Sequence, residues 1–221
     1  EARAFGFSPA IVDVSNNSWG PSDATLDFEA PGAAAAAALG AGALTGRGGN
    51  GIVYVWSGGN GGGIGDNSNY DGYANSIYTI AVGAITDTGS RAGYSERGAN
   101  LVVSAPSSGG AQNVLTTEFG VELDEDDNPF RTSLYTTDFT GTSAAVPLVS
   151  GVVALMLQVN PSLSWRDVQD ILIRTAVKID PINGGWKDNA AGLHFNHDYG
   201  AGMVDAGAAV APPGFRGARG A

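Results

Sequence analysis

The chain has 221 residues, 43% of them hydrophobic, which is enough to bury one sizeable core and too apolar for a disordered segment. Its formal net charge of −11 argues against nucleic acid, whose phosphates need a basic footprint, and favours cationic substrates and divalent cations. With no cysteine, neither a disulfide nor a thiolate metal site can form.

Glu1-Ala2-Arg3-Ala4-Phe5-Gly6-Phe7 reads as the end of a helix closed by Gly6. The chain is therefore expected to open inside a domain, with any targeting signal upstream. Residues 10–15 read as a buried strand, followed by a turn-rich stretch over 16–23. Residues 31–44, dominated by alanine, predict a closely packed helix stopped by Gly46-Arg47-Gly48-Gly49-Asn50. Residues 51–56 and 77–84 predict two further strands, and 99–105 a fourth. Near-continuous apolar strands alternating with helices predict an α/β fold with a mostly parallel sheet flanked by helices. Function in such sheets collects at the carboxyl ends of the strands.

Over 111–140 the pattern loosens, with Glu122-Leu123-Asp124-Glu125-Asp126-Asp127-Asn128-Pro129 expected as an acidic loop between two hairpin strands. The apolar run 146–159 is too short to span a bilayer and reads as a buried core helix. Ser164 and Asp167 predict a capping box opening a second helix. Residues 1–211 are expected to belong to one domain, and 212–221, rich in proline and glycine, to a linker or tail.

Two loops carry chemistry. Phe139-Thr140-Gly141-Thr142-Ser143-Ala144-Ala145-Val146-Pro147 places one serine among small residues at the mouth of the core helix. A helix N-terminus offers free N–H groups and a positive dipole end, which suit an oxyanion forming beside the serine. Pro147 falls early in that helix, where a missing N–H is expected to cost little. Asn60, in a glycine run directly after a strand, can donate a side-chain hydrogen bond to the same oxyanion. Taken singly, the first run is also an ordinary helix cap and the second an ordinary turn.

Six segments in order settle the choice: Ser18-Trp19-Gly20-Pro21, Trp56-Ser57-Gly58-Gly59-Asn60-Gly61-Gly62, Asp71-Gly72-Tyr73-Ala74-Asn75-Ser76-Ile77-Tyr78, Gly141-Thr142-Ser143-Ala144-Ala145-Val146-Pro147, Trp165-Arg166-Asp167-Val168 and His197-Asp198-Tyr199-Gly200-Ala201-Gly202. Together they resemble the later part of the catalytic domain in the kexin/furin-like branch of the subtilisin-type serine proteases. The resemblance implies a three-layer α/β fold whose N-terminal part lies outside the chain. It implies a secreted, extracellular or periplasmic endopeptidase, monomeric, acting on polypeptides with basic residues. Ser143 then matches the acyl-forming nucleophile, and Asn60 the side-chain half of the oxyanion hole. Trp19, Gly20, Asp23 and Asp71 match the walls of a pocket for a basic side chain, and Glu1, Glu29 and Tyr73 the more distant subsites. Asp23, Asp66 and Glu96 match the carboxylates of a structural calcium site, a donor set that suits a hard cation.

One departure lies at Gly58-Gly59, where the family usually has a serine and where the pocket wall is expected to loosen. A triad also needs a base and an orienting carboxylate. The only histidines, His194 and His197, fall in a segment that the resemblance makes structural. The family's Asp and His motifs precede the region that begins at Glu1, so the chain is expected to be a fragment and to be inactive by itself. A non-catalytic binding module, or a protease without basic specificity, stays open as an alternative.

Overall fold

The computed structural model describes residues 1–23, 26, 28–118, 122–123, 129–130 and 134–211. Strands β1 (Val14–Asn17), β2 (Val53–Ser57), β3 (Thr79–Ile85) and β4 (Leu101–Pro106) form a parallel sheet in the order β1-β2-β3-β4. All begin two to four residues later than the apolar runs suggest. Ala10 and Ile11, expected in the first strand, belong to a turn instead, because the N–H groups of Ile11 and Val12 both donate to the Ser8 carbonyl (2.8 and 3.1 Å). Strands β2 and β3 are paired on both sides and buried along their whole length, which is why they lack polar alternation.

Helix α1 (Ala2–Phe5) leads into β1, and α2 (Ala33–Thr45) joins β1 to β2. Small residues let α2 approach the sheet closely: a Cβ on Gly42 would lie 2.0 Å from the Tyr54 hydroxyl oxygen. That hydroxyl donates to the Phe5 carbonyl at 2.9 Å and ties α1 to the core. Helix α3 (Thr142–Val159) packs on all four strands through Ala145, Val146, Val149, Val153 and Met156. At 18 residues it is long and apolar enough to cross a membrane by composition, yet half of it is buried in this core. Helix α4 (Trp165–Thr175) opens with the expected capping box, Ser164 Oγ accepting from the Asp167 N–H and Asp167 from the Ser164 N–H.

Between β4 and α3 in sequence the chain forms an antiparallel pair of β5 (Val114–Thr117) and β8 (Tyr135–Phe139). A second short pair, β6 (Glu122–Leu123) with β7 (Pro129–Phe130), lies between them in sequence. The acidic residues 124–128 and the expected tail 212–221 lie outside the described residues. A two-stranded β9 (Lys187–Asp188) and β10 (His194–Phe195) ribbon and α5 (Ala206–Val210) complete the chain. The loops leaving β1, β2 and β4 meet the N-terminus of α3 at the carboxyl end of the parallel strands.

Candidate active site

Ser143 is the second residue of α3. Gly141 precedes the helix at φ +84°, a left-handed conformation that glycine alone adopts without strain, and a Cβ there would press to 3.0 Å from Asn60 Oδ1. No side chain of the local sequence caps the helix. The cap comes from 82 residues away: Asn60 Oδ1 accepts from the Thr142 N–H at 2.7 Å and from Thr142 Oγ1 at 3.0 Å. The Ala144 N–H goes to the Gly141 carbonyl at 3.1 Å. With Oδ1 so fixed, the planar amide turns its Nδ2 donors the other way, and Asn60 and Ser143 share one pocket. An amide donor beside the N-terminal N–H groups of a helix is the arrangement an oxyanion needs.

Pro147 has a larger part than its position suggested. It sits inside the helix, where its N–H would have bonded to the Ser143 carbonyl four residues back. That carbonyl is taken instead by Ser18 Oγ at 3.0 Å, and Ser143 Oγ donates to the Ser18 carbonyl at 3.2 Å. The exchange fastens Ser143 to the loop after β1. On the opposite flank Ser107 Oγ donates to the Gly141 carbonyl at 2.8 Å and is itself held by the Tyr94 hydroxyl at 2.8 Å. Ser107 and Tyr94 were not singled out from sequence, since nothing local marks them, and Ser18 and Thr142 stood there only as members of two family segments. For Ser18 a cue was present: a proline four residues after a candidate nucleophile leaves a carbonyl in need of a donor.

The pocket beside Ser143 is walled by Trp19, Gly20, Asp23, Ser57, Asn60, Asp66, Asp71 and Glu96. Asp71 Oδ1 accepts from the Tyr73 N–H at 2.7 Å, and its Oδ2 lies across from Gly20, where a Cβ would come within 3.2 Å. Burial, with smaller help from Glu29 and Asp23, pushes the Asp71 carboxyl up to about 6. Of the distant-subsite residues, Tyr73 stacks on Trp56 (4.9 Å between centroids) and its hydroxyl donates to Glu1 Oε2 at 2.6 Å. Burial first, and that carboxylate second, push the Tyr73 hydroxyl up to about 12. Glu29 is exposed, and its backbone clasps the Asp71 loop through Tyr70 (3.0 Å) and Gly72 (2.7 Å). Glu1, Glu29 and Tyr73 are not among the walls of the Ser143 pocket.

Asp23, Asp66 and Glu96 gather round the backbone of residues 59–61. Asp23 Oδ1 accepts from the Asn60 N–H and Glu96 Oε1 from the Gly61 N–H, both at 2.9 Å, while Asp66 Oδ1 accepts from the Asn67 N–H at 2.8 Å. Glu96 is 4% exposed; burial, then the charges of Asp66 and Asp23, push it up to about 8. Hard oxygen donors that repel one another fit a divalent cation in kind. Among the described residues, however, no three acidic or histidine side chains are gathered closely enough to stand as ligands of one ion. The expected loosening at Gly58-Gly59 is absent. Gly59 has φ +94° and a Cβ there would lie 2.2 Å from Glu96 Oε1; one on Gly58 would lie 2.8 Å from Leu101 and 2.9 Å from the Val82 carbonyl oxygen. Both glycines are demanded by close packing. His194 and His197 sit elsewhere, edge-on to Trp186 and Phe195 respectively, and neither is a wall of this pocket.

An α/β sheet whose strand ends meet a serine-bearing helix N-terminus and an asparagine side chain is an arrangement of the kind that acyl transfer uses. The chain belongs to the subtilase family, whose pattern it matches over residues 2–202. Within it the chain falls in the kexin/furin-like branch. It is 43% identical to PC3-like endoprotease variant B of Hydra vulgaris over 217 residues, 95% of this chain and 29% of that protein. It is 37% identical to furin-like protease 1, isoform 1-CRR, of Drosophila melanogaster, over 93% of this chain and 18% of that one. The crystal structure of the Aeromonas sobria serine protease with its chaperone superposes at a TM-score of 0.79 and 25% identity, over 94% of this chain and 44% of that one. The chain thus spans less than a third of the length of these curated relatives.

Proposed function

We propose that the chain contributes the nucleophile, half of the oxyanion hole and the specificity pocket to a serine endopeptidase that cleaves after basic residues. Ser143 Oγ attacks the scissile carbonyl and forms the acyl-enzyme, while Asn60 Nδ2 and the Ser143 N–H stabilise the oxyanion. The observation that carries this reading is the Asn60–Thr142 pair, which aims the amide donors beside Ser143 at the rim of an acidic pocket. Asp71 and Asp23 give that pocket its choice of substrate, since a carboxylate withdrawn from water pairs strongly with arginine. Glu1, Glu29 and Tyr73 extend the acidic track to a second basic residue. The base that takes the Ser143 proton, and the carboxylate that orients it, come from outside residues 1–221, because both histidines are committed elsewhere. Asp23, Asp66 and Glu96 would hold a calcium ion whose part is to offset the charge of the three carboxylates under the pocket. Likeness to convertase-type relatives supports polypeptide substrates and a place outside the cytosol.

The test is hydrolysis of an arginine-containing fluorogenic peptide. The complete polypeptide that carries this chain is expected to cleave it, and Ser143→Ala to abolish cleavage. Residues 1–221 alone are expected to show no measurable turnover, since losing the base in a subtilisin costs about a millionfold in kcat. Turnover by residues 1–221 alone would overturn the assignment of the base.

A further inference from the structure

The glycine run that carries Asn60 has little of its own to hold it in place. Gly58, Gly59, Gly61 and Gly62 have no side chain to pack and the widest backbone freedom, so neighbours have to impose their path. The principal neighbour is the segment between β3 and β4. The Gly62 N–H donates to the Tyr94 carbonyl at 2.8 Å, the Gly61 N–H to Glu96 Oε1 at 2.9 Å, and the Glu96 N–H to the Gly59 carbonyl at 3.3 Å. The Ser95 carbonyl oxygen presses so close that a Cβ on Gly62 would lie 2.3 Å from it.

Residues 92–96 belong to no helix or strand, so their own position comes from elsewhere too. Both ends of the segment are fastened to one buried carboxylate, Asp198, in the turn after β10. Arg91 Nε lies 3.3 Å from Asp198 Oδ1, and Arg97 Nε 2.5 Å from the same oxygen. Arg91 also donates through Nη1 to the Ser95 carbonyl, so one planar guanidinium joins Asp198 to the atom that bears on Gly62. The Arg91 N–H donates to the Tyr199 hydroxyl at 3.1 Å, and Asn183 Nδ2 to Asp198 Oδ2 at 3.3 Å, which completes the anchor. Of the two guanidiniums Arg91 is the enclosed one, 20% exposed against 61%, and its attraction to Asp198 is the less screened by water and salt. We propose that Asp198, acting through Arg91, is a positioning residue for the oxyanion donor: it holds segment 91–97, and with it the loop that carries the Asn60 amide beside Ser143. The assignment rests on the endopeptidase reading. An oxyanion donor acts only at hydrogen-bond distance from the developing charge, and a displacement of about 1 Å costs roughly a hundredfold in rate.

The experiment uses the complete polypeptide and an arginine-containing fluorogenic peptide, with kcat expressed per site titrated by a serine-directed phosphonate, so that loss of folded protein does not count as loss of rate. Asp198→Ala should lower kcat about tenfold, the size of a displacement well under 1 Å, with KM held within about twofold. In an Asn60→Ala background the same substitution should cost no more than about twofold, because the donor it positions is already gone. Asp198→Asn, which keeps the size and one acceptor oxygen, stands in where the alanine variant does not fold. Arg91→Lys, which lacks the fork that reaches both acceptors, should show the same pattern. An unchanged kcat per titrated site, a loss confined to KM, or a full tenfold loss in the Asn60→Ala background overturns the proposal. If the wild type cleaves no arginine-containing peptide, the endopeptidase reading falls instead, and hydrogen exchange decides the anchoring. The Gly61 and Gly62 amides of Asp198→Ala should then exchange about tenfold faster while those of β3 stay within about twofold, and unchanged Gly61 and Gly62 amides overturn it.

Discussion

At the scale of single residues, Asn60 has two duties that can be separated. Its Oδ1 caps α3 through the Thr142 N–H, and under the proposed function its Nδ2 is the oxyanion donor. Asn60→Ala loses both, and should lower kcat of the complete polypeptide by about 10²–10³-fold and stability by about 1 kcal/mol. Asn60→Asp keeps the acceptor and lacks the donor, so activity should fall as far while the denaturant midpoint moves less. Steady-state kinetics beside urea unfolding check the pair. Ser18 offers a second test. Ser18→Ala strands the Ser143 carbonyl that Pro147 leaves without a helical partner, for a loss of about 1–2 kcal/mol. Pro147→Ala restores a helical N–H, so the double variant should recover part of that loss, and a denaturation cycle showing strict additivity would refute the coupling.

At the scale of elements, the glycine loop after β2 is shaped by the carboxylate beneath it. Gly59→Ala meets both a left-handed backbone and the Glu96 oxygens, and should destabilise by more than about 1 kcal/mol in thermal or urea unfolding. The capping box of α4 and the stop after α2 were legible because their determinants are neighbours in sequence. The start of β1 was not: Ala10 and Ile11 have strand-like composition, and a turn closed by the Ser8 carbonyl overrode it. The reading of Pro147 as harmless was likewise local, and the partner that replaces its bond lies 125 residues away.

For the molecule as a whole, the acidic cluster sets a pH dependence whose sign is fixed. Asp71 at about 6 and Glu96 at about 8 both lie above their unfolded values, so the folded chain binds these protons more tightly than the unfolded one. Their contribution to stability is complete below about pH 4 and is lost as pH rises through 6 and then 8. A bound cation competes with the same protons. Added calcium should therefore raise Tm more at pH 8 than at pH 5.5, and Glu96→Gln should blunt the difference; an unchanged Tm on chelation at pH 8 would remove calcium from the site. Catalysis runs the other way, since only ionised Asp71 pairs with arginine: kcat/KM for a basic substrate should fall as pH drops through 6, and Asp71→Asn should flatten that limb.

The sequence by itself determined the α/β class, the order of strands and helices, the caps and the six family segments that single out Ser143 and Asn60. All of these are written in runs of adjacent residues, where periodicity, propensity and spacing act over a few positions. Only the tertiary structure decided that Asn60 caps the helix that carries Ser143, that Ser18 replaces the bond Pro147 removes, that Gly58 and Gly59 are demanded by close packing, and that both histidines stand away from the pocket. The physical reason is common to all four. Each depends on groups tens of residues apart in sequence, whose meeting and whose withdrawal from water follow from the path of the folded chain.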